Sequence, residues 1–174
     1  MDFLKDAVSN AGAGQNSASG AMDAVKASMN EAKANLGDKF SGTYVITNVN
    51  GLALEVKGGS QINNIPIITW RMDSGDSQRF TIEWLPDSAC YKITAKHSKK
   101  VLTIVGDRVV QSAWTGTDGQ KWVIVEENGI IQFTSKLNGK ALDVPGNSRK
   151  EGTEMWVYPV NKTPAQQFKL TRSS

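Results

Sequence analysis

The chain has 174 residues, 39% of them hydrophobic and 21% charged, with a formal net charge of +3. That length suits one domain with an appendage, and the composition is that of an ordinary soluble globular protein. No apolar run approaches the roughly 18 residues that span a bilayer, and the opening Met1-Asp2-Phe3-Leu4-Lys5-Asp6 is not a basic segment leading into an apolar one, so no secretory leader is expected.

Residues 1–40 are rich in Ala, Gly, Ser and Asn and contain no Pro. Met22, Val25, Met29, Ala32 and Leu36 step by three and four, which predicts an amphipathic helix, with Ser17 or Ser19 as its cap and Gly37 as its end. Phe3, Leu4, Ala7 and Val8 predict a shorter helix broken at Gly12 and Gly14. The stripe fits a helix docked on its own domain or frayed in solution. It also fits an arm for self-association or partner binding, which makes a homo-oligomer through this helix an expectation.

From Gly42 onward the period changes to short alternating stretches separated by Gly, Asn, Asp and Ser, the grammar of strands. Four strand types recur three times in the same order, over about 42–88, 89–128 and 129–172. The first is Tyr44-Val45-Ile46-Thr47, Tyr91-Lys92-Ile93-Thr94 and Ile131-Gln132-Phe133-Thr134. The second is Leu52 to Val56, Val101 to Val105 and Lys140 to Val144. The third ends on an aromatic, at Trp70, Trp114 and Tyr158, and the fourth opens with Gln78-Arg79-Phe80, Gln120-Lys121-Trp122 and Gln166-Gln167-Phe168. Twelve short strands in a threefold repeat predict a closed all-β domain over 42–174, because closure removes exposed edges. Alternation sends Ile46, Leu54, Ile67, Phe80 and Ile82 inward, then Ile93, Leu102, Ile104, Trp122 and Ile124, then Phe133, Leu142, Val144, Phe168 and Leu170.

Catalytic chemistry has few candidates. His97 is the only histidine and sits among Lys96, Lys99 and Lys100, a group that reads as a solvated loop rather than a nucleic-acid surface. Cys90 is the only cysteine, so no internal disulfide forms; a cytoplasmic location and a small buried thiol are expected. One His and one Cys do not make a structural zinc site, and Glu126 and Glu127, adjacent on a strand, face opposite ways. No enzyme activity, metal or cofactor is expected, and no membrane insertion.

The threefold Gln-x-Trp/Phe pattern, each copy preceded by a Leu-x-Val-like strand, resembles the ricin-B-type lectins, and Tyr44 to Asn48 is similar to the opening of small cytosolic mushroom lectins. The resemblance covers about 42–172 and implies a β-trefoil with one potential sugar pocket per repeat. It implies an acid in the second strand that accepts sugar hydroxyls, a ring at the end of the third that stacks on the sugar, and an Asn just before the Gln. The third repeat carries Asp143, Tyr158 and Gln166, with Ala165 at the Asn position and Asn161 nearby as a substitute. The first carries Glu55, Trp70 and Gln78, with Ser77 at the Asn position and Asp73 and Asp76 as stand-ins. The second has Thr103 for the acid and a shortened loop after Trp114, so no pocket is expected there. The local alternatives are that Asp143 stabilises the turn at Pro145-Gly146-Asn147, that Trp70 and Tyr158 are packed hairpin aromatics, and that the glutamines bond buried backbone.

The expected function is therefore a lectin for galactose- or N-acetylgalactosamine-type glycans. The alternative is a β-trefoil for protein–protein contact, such as a protease inhibitor, that has lost sugar binding. A third reading, a membrane arm, is disfavoured by a stripe poor in aromatics and without cationic excess.

Overall fold

The structure is a computed structural model and describes residues 20–25 and 38–174. The chain divides into two units, Met1–Leu36 and Gly37–Ser174. In the first, residues 20–25 are helical, with Met22 and Val25 exposed. The remainder of the predicted stripe (Met29, Ala32 and Leu36), the patch at Phe3, Leu4, Ala7 and Val8, and the predicted caps lie outside the described residues. No helix among the described residues is long and apolar enough to cross a membrane.

The second unit is all-β. Its strands are β1 (Gly42–Asn48), β2 (Ala53–Val56), β3 (Ile65–Trp70), β4 (Phe80–Leu85), β5 (Cys90–Ala95), β6 (Val101–Val105) and β7 (Arg108–Ser112). They continue with β8 (Trp122–Glu127), β9 (Ile130–Ser135), β10 (Ala141–Asp143), β11 (Thr153–Glu154), β12 (Trp156–Tyr158) and β13 (Phe168–Arg172). Antiparallel pairing runs β1–β4–β5–β8–β9–β13 and returns to β1, so six strands close into a barrel without a free edge. The hairpins β2–β3, β6–β7 and β10–β12 form the cap. They join one another through β3–β7, β7–β12 and β11–β3. This is a β-trefoil, three copies of one unit around a pseudo-threefold axis.

Among the described residues thirteen strands stand where twelve are predicted, because the third strand of the last repeat divides at Met155. Thr153 and Glu154 pair with Thr69 and Ile68 on β3, whereas Trp156 pairs with Asp143 on β10 and Arg108 on β7. One short segment thus ties all three repeats together.

Side-chain alternation decides what fills the interior. On β8, Trp122 and Ile124 point in while Val123 and Val125 point out. The hairpin to β9 is set by Asn128-Gly129, with φ of 53° and 78°, the turn whose twist matches paired strands. The predicted inward residues are buried in one core cluster, with Leu170 half-buried at its margin. Cys90 is a buried free thiol, and burial pushes its pKa up.

Candidate functional site

The three glutamines do the same work in each repeat. Each sits at the end of a short 3-10 turn just before a barrel strand (Asp76–Gln78, Asp118–Gln120, Pro164–Gln166) and points back under the cap hairpin. The Nε2 of Gln78, Gln120 and Gln166 donates to the carbonyls of Arg71, Ala113 and Pro159, at 2.8, 2.8 and 3.0 Å. Their Oε1 atoms accept from the backbone N–H groups of Asp73, Thr115 and Asn161, at 2.9, 2.7 and 3.0 Å. The second Nε2 hydrogen reaches the acid position of the second strand: Glu55 at 3.4 Å, Thr103 at 3.1 Å and Asp143 at 3.0 Å. Gln78 and Gln166, counted among the candidate sugar contacts, are buried with both amide ends on protein groups. They hold the acids in place from behind.

Cross-strand register fixes which residues are equivalent. Asp143 lies opposite Trp156 and Ala141 opposite Tyr158, so carboxylate, indole and phenol share one face of the hairpin. Trp156 Nε1 donates to Asp143 Oδ1 at 2.7 Å, and the Trp156 and Tyr158 rings stack 5.2 Å apart at 18°. Asp143 is only 3% exposed and Tyr158 44%, so the acid forms the floor and the ring the rim. Between them lies an open hollow of about 340 Å³, lined also by Asn147, Asn161 and Thr163. Asn161 Oδ1 accepts from Thr163 N–H at 3.0 Å and Thr163 Oγ1 at 2.8 Å, so what Asn161 can offer a ligand is its amide donor. Asn147, at φ 47°, donates its own N–H to the Val144 carbonyl and is tied to Asn50 of the first repeat at 3.3 Å.

In the first repeat, Glu55 lies opposite Ile68 and Trp70 opposite Ala53, the positions of Asp143, Trp156, Tyr158 and Ala141 respectively. Glu55 is buried, and its pKa is raised, first by that burial and then by the nearby Asp73 charge. Gln78 Nε2 and Ser77 Oγ both donate to Glu55 Oε1 at 3.4 Å, and these bonds, Gln78 first, lower the pKa in part. The Trp70 ring edge lies over Gly152 of the third repeat, where a Cβ would sit 3.7 Å from Cζ3. Asp76, a suggested stand-in, faces cations: Arg79 is 2.7 Å away and Lys96 3.5 Å, and the Arg79 bond lowers its pKa.

In the second repeat, Thr103 lies opposite Val110 and Val101 opposite Ser112. The structural counterpart of Tyr158 is therefore Ser112 and not Trp114, which falls beyond the last β7 pair. Trp114 is exposed and takes the Lys92 ammonium over its ring, 5.2 Å from the centroid. With neither carboxylate nor ring at the equivalent places, this face lacks both parts of the arrangement seen at Asp143.

Trp156 escaped the sequence reading although it stands two residues from Tyr158, the strand spacing that shares a face. The threefold comparison directs attention to the last aromatic of each third strand and passes over it.

A six-stranded barrel capped by three joined hairpins, built from three copies of one unit, is the architecture of a β-trefoil domain. Residues 42–168 match the ricin-type beta-trefoil lectin domain, and the chain belongs to that family. Among curated proteins none matches it in sequence. It is similar to ThreeFoil, a designed threefold-symmetric protein, at 28% identity and a TM-score of 0.72, covering 76% of this chain and 99% of the other. The fold is shared with the Macrolepiota procera ricin B-like lectin solved with lactose, at 22% identity and TM-score 0.65, covering 76% and 96%. It is shared also with the C-terminal half of the earthworm R-type lectin solved with GalNAc, at 16% and 0.62, covering 74% and 97%.

Proposed function

We propose that this chain is a non-enzymatic lectin that binds galactose- or N-acetylgalactosamine-type glycans through the hollow between Asp143 and Tyr158. The observation that carries the reading is the convergence there of a buried, oriented carboxylate, an exposed aromatic plate and the Asn161 amide. A pyranose has a face of C–H groups and an edge of hydroxyls; a ring covers the first and a carboxylate accepts from the second. The lactose and GalNAc held by the two lectins of the same fold support the galactose-type assignment. A shallow site of this kind binds a monosaccharide at about millimolar strength, roughly 4 kcal/mol. Avidity then comes from several sites on one assembly, for which self-association through the N-terminal arm is the proposed route.

A second reading, a protein-interaction module, draws on the second repeat's missing acid and ring. It draws also on a separate groove of about 500 Å³ edged by exposed Val49, Met72 and Ile130. A glycan array with wild type, Asp143→Ala and Tyr158→Ala separates the two. Galactoside binding by wild type, lost by at least about tenfold in both variants, is expected. Unchanged binding in the variants overturns the site, and a blank wild-type array together with inhibition across a protease panel favours the second reading.

A further inference from the structure

The lectin reading, on which this inference rests, assigns no part to Trp156. Its position does. Asp143 has two carboxylate oxygens and each is held by a different donor: Oδ1 by the Trp156 indole at 2.7 Å and Oδ2 by Gln166 Nε2 at 3.0 Å. One donor leaves a carboxylate free to swivel about its last bond; two donors on separate oxygens fix its plane. A carboxylate has about four lone-pair sites, so this clamp leaves room on each oxygen for a hydroxyl. The same indole lies against Tyr158 at 18°. One rigid side chain thus orients both the acid and the ring that a sugar would meet.

The other repeats lack this link. The residue facing the acid position is Ile68 opposite Glu55 and Val110 opposite Thr103. Neither side chain has a hydrogen-bond donor or an aromatic plane to stack on a second ring. Gln78 lies 3.4 Å from Glu55, longer than the 3.0 Å of Gln166 to Asp143, and the Glu55 carboxyl has no indole on its other side.

We infer that Trp156 is the positioning residue that makes the third repeat the single competent sugar pocket of the chain, by locking Asp143 and Tyr158 into one unit. The ligand it selects presents two adjacent hydroxyls to Asp143 and a C–H face to Tyr158. Each chain binds one such sugar, and multivalent binding requires more than one chain.

The test titrates the full chain, by calorimetry and by protein-observed NMR, with methyl β-galactoside and with its 3-deoxy and 4-deoxy analogues. Wild type binds the parent at least about tenfold more tightly than the weaker analogue, the worth of a charge-assisted hydrogen bond, with one sugar per chain. Trp156→Phe keeps a ring and loses the N–H: the parent weakens and the parent-to-analogue ratio falls to within about twofold. A Trp156 that only supported the fold would weaken all three ligands equally and leave the ratio intact. Trp156→Phe with the wild-type ratio overturns the inference and leaves the lectin reading standing, as does a wild-type stoichiometry of two or three. Wild type that binds none of the three sugars and is blank on a glycan array overturns both.

Discussion

Replacing Gln166 by Leu isolates the brace beneath the candidate pocket. Leucine is close to glutamine in volume, so the change removes hydrogen bonds with little cavity. Three bonds are lost, to the Asp143 carboxylate, the Pro159 carbonyl and the Asn161 N–H, each at 3.0 Å. Pro159 and Asn161 are exposed, and water takes over much of what they lose. Asp143 is 3% exposed and its bond to Gln166 is buried, so water replaces that bond less easily. A charge-assisted bond is worth about 1.5–3 kcal/mol and a neutral one about 1, so a destabilisation of about 2–3 kcal/mol is expected after partial rehydration. For a domain of this size each kcal/mol moves Tm by about 3–4 °C, giving a fall of about 6–12 °C. Gln78→Leu is the internal control, since it also loses one bond each to a carboxylate, a carbonyl and a backbone N–H, but its Nε2 lies 3.4 Å from the Glu55 carboxylate; its penalty is smaller by about 1 kcal/mol. Thermal melts followed by circular dichroism at neutral pH read both variants. A Gln166→Leu melt within about 2 °C of wild type, or a Gln78→Leu variant that is the less stable of the two, refutes the reasoning.

Trp122 is fully buried and its indole donates to the Leu102 carbonyl at 3.2 Å; Trp122→Ala lowers stability by about 3–5 kcal/mol in urea unfolding, and a loss under about 2 contradicts its place in the core. Glu55 holds its proton to a higher pH in the folded chain than in the unfolded one, through burial first and Asp73 second. Folding stability therefore falls as pH rises from the ordinary glutamate range through the raised folded value, and ionised Glu55 remains unfavourable above it. Glu55→Gln removes that term, so variant and wild type have similar Tm near pH 3.5 and diverge in the variant's favour toward about pH 7. Parallel pH profiles are the result that would count against this assignment.

The strand grammar was legible because it depends on local patterning. The three Gln-x-aromatic segments mark where β4, β8 and β13 begin, and alternation around Ile46, Ile93 and Phe133 names the side of each barrel strand that faces inward. What depends on register between distant strands was not legible. Trp114 reads as the end of a third strand, yet β7 stops at Ser112, and only the Val101–Ser112 pair shows which residue corresponds to Tyr158. The break at Met155 and the indole bond to Asp143 have the same origin. Both depend on how the segment after the 145–152 loop lands against β3, β7 and β10, a three-body arrangement that no single stretch of sequence encodes. The acid and ring could be named from the resemblance; the donor that aims the acid required the pairing.

Barrel closure has a consequence for how this protein is made. The seam joins Tyr44 to Arg172 and Asn48 to Phe168, residues from opposite ends of the domain. During synthesis the first strand emerges long before its neighbour on that side exists, and its hydrogen-bonding edge must wait. Contacts so far apart along the chain form slowly because a long loop must be ordered first, so folding is completed only after the final strand has cleared the ribosome. Until then the open edge of that waiting strand is the part of the incomplete domain most prone to pair with another chain.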